Sequence, residues 1–169
     1  QFVDSTLKTF SLKYSKSDIN LFGMSINRFG ASYKDRFIDS NFTSLDRINN
    51  VEFDRDYNTN SSLKAEENLR EFALEFSPVK EAQFRGQYGY LKKGTQVSSD
   101  RYLFQTKINK DKSYALDYNI DLVNSKNRYS ESKWIKQSGN ANYSIDKFKP
   151  GIKLEYEDKK DTKVLSDSL

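Results

Sequence analysis

From Ser113 to Ser125 the chain reads SYALDYNIDLVNS, with Tyr114, Leu116, Tyr118, Ile120 and Leu122 on every second position. Ala115, Asp117, Asn119 and Asp121 fill the gaps. Successive side chains of a β-strand point to opposite faces, so this spacing predicts a strand with one apolar face and one acidic, wettable face. The alternation recurs along the chain. Phe10, Leu12 and Tyr14 alternate with Ser11, Lys13 and Ser15; a turn is expected at Lys16-Ser17-Asp18, then a strand over Ile19–Asn27 carrying Phe22, Met24 and Ile26. Further strands are predicted through Phe72, Leu74 and Phe76, stopped by Pro78, and through Ala82, Phe84, Gly86, Tyr88 and Tyr90. Tyr102 to Ile108, a fainter run from Ile135 to Ile145, and Ile152 to Tyr156 complete the series.

Short polar clusters separate these runs: Asn109 to Lys112, Asn124 to Asn127, and Lys147 to Gly151 with its Pro-Gly pair. Strand, short link, strand is the grammar of an antiparallel meander, because parallel strands need long crossovers for which there is no room after Phe72. The fold expected is all-β: an antiparallel meander of roughly eight strands, as a barrel or as an open or packed sheet. One stretch departs from it. Residues 30–68 hold Tyr33, Phe37, Phe42, Phe53 and Tyr57 in a polar background and read as a long excursion. A short helix is predicted over residues 61–70, with Ser62 as its cap and Glu66-Glu67 early in it. Residues 1–169 are read as a single β domain, either whole or a segment of a larger protein.

Composition narrows the chemistry. The 169 residues are 31% charged, yet they include 11 Tyr and 12 Phe, far too aromatic for a chain that cannot collapse. High polarity with many aromatics suits sheets that keep one face wet. There is no Cys and no His. Disulfides, thiol chemistry, His-dependent triads and the usual zinc sites are thereby excluded, and no metal or cofactor is expected. The net charge of +4 comes from 28 basic against 24 acidic residues, a mixed-sign surface without a basic run, so no nucleic-acid partner is expected. No run of about 18 apolar residues is present to form a membrane-spanning helix.

Three constellations offer groups that could carry chemistry. Glu52, Asp54 and Asp56 share a strand face and offer oxygen ligands to a cation, but the glycine and the closing glutamate of an acidic calcium loop are missing. An ion-pair cluster with Arg47 and Arg55 accounts for them more simply. Asp117 and Asp121, four residues apart, make a carboxylate pair only in the sense that a wet strand face carries acids at alternate positions. Aromatics from Phe84 to Phe104 interleave with Arg85, Lys92, Arg101 and Lys107, but the basic residues fall largely on the opposite face from the aromatics, which argues against a stacking platform. No residue set identifies a catalytic activity, and a non-enzyme is expected.

The open question is what the apolar face rests on. Phe84, Tyr88, Tyr90, Tyr114, Leu116, Tyr118, Ile120 and Leu122 are expected to face either lipid or a protein core. Membrane barrels alternate apolar-out and polar-in over spans of about 9 to 11 residues, which Tyr114–Leu122 and Ala82–Tyr90 match. A soluble sandwich, or a closed barrel around a small ligand, uses the same alternation differently. The texture of the chain, above all Asn50-Val51-Glu52-Phe53-Asp54-Arg55-Asp56-Tyr57-Asn58 following Tyr33-Lys34-Asp35-Arg36-Phe37-Ile38-Asp39-Ser40, resembles the large outer-membrane β-proteins of Bacteroidetes-type bacteria. The resemblance implies a barrel for secretion or uptake, located in the bacterial outer membrane or at the cell surface, without catalytic residues. The expected partners are a lipid bilayer or neighbouring β-strands of a larger envelope assembly. The alternative is a soluble β-module that binds a glycan, an apolar ligand or a protein.

Overall fold

A computed structural model describes residues 6–21, 24–41, 56–58, 65–110, 113–144 and 148–163. Among them lie eight strands: β1 (Leu7–Leu21), β2 (Met24–Ile38), β3 (Glu67–Val79), β4 (Ala82–Lys93), β5 (Val97–Lys110), β6 (Tyr114–Asn127), β7 (Ser130–Tyr143) and β8 (Gly151–Lys163). Each pairs antiparallel with its sequence neighbour, giving one sheet in the order β1 to β8. β1 and β8 are not paired with each other, so the sheet is an open meander.

The elements follow from the alternation, with four boundaries moved. Lys16-Ser17-Asp18 is not a hairpin turn: β1 runs through it to Leu21, and the expected Ile19–Asn27 strand is split between β1 and β2. The turn signal has a local trace, since Asp18 sits at φ 53° inside the strand, a conformation that Asp tolerates better than most residues. Residues 30–38 belong to β2, so the excursion is 39–66 and not 30–68. The helix expected over 61–70 is overruled from Glu67 onward, where cross-strand pairing of Glu67 to Arg70 with both β2 and β4 outweighs local helix propensity. Residues 61–64 lie outside the described residues. Finally, β3 passes Pro78 by one residue, and its register with β4 shifts between Phe76 and Val79, where a proline is tolerated.

Register sorts the side chains into two faces. One row runs Leu12, Tyr33, Phe72, Tyr88, Tyr102, Leu122, Ile135, Asp158 across all eight strands. The next row toward the β3–β4 turn runs Tyr14, Ala31, Leu74, Gly86, Phe104, Ile120, Gln137, Tyr156. The opposite face carries rows such as Ser11, Lys34, Glu71, Gly89, Arg101, Val123, Trp134, Lys159. The first is the aromatic face and the second the charged face.

Burial is inverted relative to a soluble sheet. Every buried residue among the described strand positions lies on the charged face, including Leu69, Leu91, Ser99, Asp121, Val123 and Ser132. The aromatic face is open: Phe10 is 59% exposed, Phe104 44% and Leu154 66%. The extensive contacts between strands all join sequence neighbours, and among the described residues no second layer covers that face.

Candidate functional site

The charged face is held by cross-strand ion pairs at the positions where its rows bring acid and base side by side. Glu67 pairs with Arg36 on one side and with Lys93 on the other; Glu71 pairs with Lys34, and Glu75 lies between Arg28 and Arg85. These span β2, β3 and β4. Lys93, Lys34 and Arg85 stand directly opposite their glutamates and Arg36 and Arg28 stand diagonally to theirs, and such opposite-charge neighbours favour this register over its slipped alternatives.

Onto this face the excursion places Asp56, Tyr57 and Asn58. Tyr57 is 1% exposed and forms a buried cluster with Leu69 and Leu91. Its hydroxyl donates to Glu71 Oε1 at 2.9 Å. The phenol lies against Gly89, where a Cβ would overlap its oxygen, so a side chain at 89 and this placement of Tyr57 exclude each other. Burial, and then the neighbouring Glu71 carboxylate, push the Tyr57 hydroxyl well above its ordinary pKa. It stays protonated and is a hydrogen-bond donor, not a base.

Arg101 on β5 closes the other side. Its Nε and Nη2 donate to the two carboxylate oxygens of Asp121 on β6, each at 3.0 Å, and its Nη1 donates to Asp56 at 2.7 Å. This fork geometry is specific to arginine. The guanidinium also sits 5.9 Å from the centroid of the Tyr57 ring, and Lys136 on β7 adds a second cation 3.6 Å from Asp121. Asn58 then bridges further strands: its amide donates to Ser125 on β6 at 2.7 Å and accepts from Lys159 on β8 at 2.9 Å. Beside it Trp134 lies under Lys136, 3.8 Å from its ring, and donates to Glu157 on β8. Three consecutive residues therefore bond to β3, β5, β6 and β8. Ser99, Ser125 and Ser132 form a buried row of small side chains across β5, β6 and β7, leaving room for Asn58.

The aromatic face has its own order. Phe76 and Phe84 stack at 6.5 Å between ring centroids, and Tyr88 and Tyr102 meet at 5.1 Å. At one border of the apolar band the tyrosines turn their hydroxyls toward acids: Tyr33 donates to Asp35 at 3.2 Å and Tyr88 to Asp100 at 2.7 Å. Along β6 the band from Tyr114 to Leu122 extends roughly 27 Å, at about 3.4 Å per residue. The band also slides across the rows. On β1 it comprises Phe10, Leu12 and Tyr14, but the same rows on β8 hold Lys160, Asp158 and Tyr156, and the β8 band is Ile152, Leu154 and Tyr156. Strands that cross an apolar belt obliquely produce such a slide.

Of the residues singled out from sequence, Phe84, Tyr88, Tyr90, Tyr114, Leu116, Tyr118, Ile120 and Leu122 all share the aromatic face, and none of them is buried. Of the acidic and basic cluster, Asp56 pairs with Arg101; Arg47, Glu52, Asp54 and Arg55 lie outside the described residues. Asp117 and Asp121 share the charged face, with Asp121 committed to Arg101 and Lys136. The sequence reading did not bring Arg101, Glu71, Gly89 and Asn58 together. A glycine inside the strongly alternating Ala82–Tyr90 run was the available signal, since such glycines mark a close approach by another group.

No protein-family profile, no characterised protein and no solved structure matches the chain.

Proposed function

We propose that this sheet is part of the wall of a membrane-spanning β-barrel in a bacterial outer membrane, with a structural or transport role and no catalysis. The aromatic face meets lipid and the charged face lines water. The observation that carries the reading is the inverted burial: among the described residues no second layer covers the aromatic face, while the ion-paired face holds every buried strand residue. Water on both sides would leave that apolar band as an unusually large exposed patch; lipid accounts for it directly.

Three details support it. The height of the band at a strand tilt of about 40° is roughly 21 Å, near the ~25 Å of a barrel's apolar belt. Tyrosines whose hydroxyls reach polar groups at the band's border are what a membrane interface selects. The texture shared with Bacteroidetes-type outer-membrane proteins favours the envelope. Asp56–Asn58 would then lie fastened inside the lumen, where these three residues narrow the path for polar solutes.

The test is expression without detergent, followed by size-exclusion chromatography and circular dichroism. Aggregation relieved by micelles, with β-signal recovered, is expected. A monodisperse β-rich peak in plain buffer would overturn the reading in favour of a soluble binding module.

A further inference from the structure

At the turn end of β5, β6 and β7 lies an open cavity of about 630 Å³, lined by Asn109, Ser113, Ala115, Asn142, Ser144 and Lys149 and flanked by Tyr114 and Tyr143. The charged face leads into it from the Arg101–Asp121 clamp. Along that track β5 presents Gln105, Lys107 and Asn109, β6 Asn119, Asp117 and Ala115, and β7 Ser138, Asn140 and Asn142. We propose that track and cavity bind a neutral oligosaccharide, with one sugar ring in the cavity and the chain lying along the amides toward the clamp.

The chemistry of the surface selects this class. On β2, β3 and β4 the same face is tiled by ion pairs. The track is different: its polar side chains are mostly carboxamides, and Lys107 and Asp117 stand directly opposite each other, so their charges cancel. A carboxamide sets a donor beside an acceptor, and each sugar hydroxyl both donates and accepts, so the two match without net charge. Among the described residues lining the cavity there is no carboxylate, and Lys149 is the one cation. That set suits neither a metal ion nor a polyanion. Tyr114 and Tyr143, directly opposite each other, offer apolar ring surface to the C–H face of a sugar.

The site is also shaped and held. Asn109, Ala115 and Asn142 stand in one row, so the two asparagine strands lie about 10 Å apart over a floor that carries only a methyl group. Asn142 is fixed in direction: its Oδ1 lies where a Cβ at Gly151 would collide with it, and its Nδ2 donates to Asn140 at 3.4 Å. Next along the track, Asn119 donates to Ser138 at 3.3 Å. Backbone bonds join the surrounding turns into one frame. The Ser144 N–H donates to the Ser113 carbonyl at 2.7 Å, that of Tyr143 to Pro150 at 2.9 Å, and that of Asn109 to Glu81 at 2.8 Å. A frame ordered in advance lowers the entropic cost of holding a ligand. From Asn142 to Ser138 the track runs roughly 14 Å, which is more than one ring occupies. The proposal concerns the charged face and holds whatever the aromatic face meets.

The full chain, in micelles and with its β-signal verified, is titrated with maltotriose, cellotriose and chitotriose to ~10 mM, read by saturation-transfer NMR and calorimetry. At least one trisaccharide is expected to bind, and more tightly than its own monosaccharide. Asn109→Ala removes a side chain that bonds to nothing among the described residues, and is expected to weaken binding about three- to tenfold. Ala115→Leu fills the floor and is expected to abolish binding; if that form lacks the parental β-signal, Asn109→Ala decides alone. No binding of any trisaccharide, equal binding of monosaccharide and trisaccharide, or unchanged binding in Asn109→Ala would overturn the proposal. Tighter binding of trigalacturonate than of every neutral trisaccharide would overturn it too, by making the cavity an anion site.

Discussion

Tyr57 rests its phenol oxygen where the Cβ of any other residue at position 89 would have to be, so Gly89 is the vacancy into which the excursion is keyed. The pair fastens Asp56–Asn58 to the middle of a sheet whose strands make their extensive contacts with sequence neighbours. Tyr57 is thereby a cross-link between distant parts of the sequence.

Gly89→Ala is accordingly expected to expel Tyr57 and cost about 1 to 3 kcal/mol, the usual range for overpacking. Tyr57→Phe, which keeps the ring and loses only the bond to Glu71, should cost about 1 kcal/mol. Urea unfolding in micelles measures both. Gly89→Ala in a Tyr57→Ala background should cost much less than in the parent chain, because the two sites share one contact.

Arg101 serves two carboxylates at once. Arg101→Met leaves Asp56 and Asp121 facing each other, with Lys136 the remaining cation paired to Asp121 among the described residues, and a loss of roughly 3 to 5 kcal/mol is expected for a pair this sheltered. Arg101→Lys should recover only part of it, since an ammonium cannot make the forked contact to Asp121. The same unfolding assay should therefore rank parent, lysine and methionine forms in that order.

The Tyr57 hydroxyl gives a signed pH dependence. Its folded pKa is raised above the ordinary value of 10.0, chiefly by burial and then by Glu71. The neutral form is the one the fold favours, so this contribution is complete below pH about 10 and is lost as the pH rises from there toward the folded pKa. Comparing parent and Tyr57→Phe between pH 8 and 12 isolates it: the stability gap should be flat to pH about 10 and shrink beyond.

The architecture was legible because strands with one apolar face write themselves as period two, and the turns between β3 and β7 are short and polar. Asp18 misled because its left-handed backbone sits within a continuing strand. Glu67 to Arg70 misled because their acids and leucine suit a helix, and only pairing with β2 and β4 decides otherwise. The faces of β7 blurred because Gln137, Gly139 and Ala141 stand on the aromatic side and Trp134 on the charged one. The clamp was hidden for a different reason. Its parts lie at 56–58, 71, 89, 101, 121 and 125, and no local pattern relates residues joined only by cross-strand register.

A lysine placed outward should differ sharply from one placed inward. Phe104→Lys, near mid-height of the band, is expected to cost about 2 to 4 kcal/mol of folding into vesicles, and Gln105→Lys on the charged face about 0 to 1. The yield of protease-resistant, vesicle-inserted protein reports the difference.

The most direct test is the pattern of water access along β6. Single cysteines at Leu116, Asp117, Tyr118, Asn119 and Ile120, in chain reconstituted into vesicles, are challenged with a membrane-impermeant maleimide. The account predicts that 117 and 119 are labelled while 116, 118 and 120 are protected, with protection lost on denaturation. Equal labelling at all five positions, or protection of 117 and 119 instead, would contradict the claim that the aromatic face meets lipid.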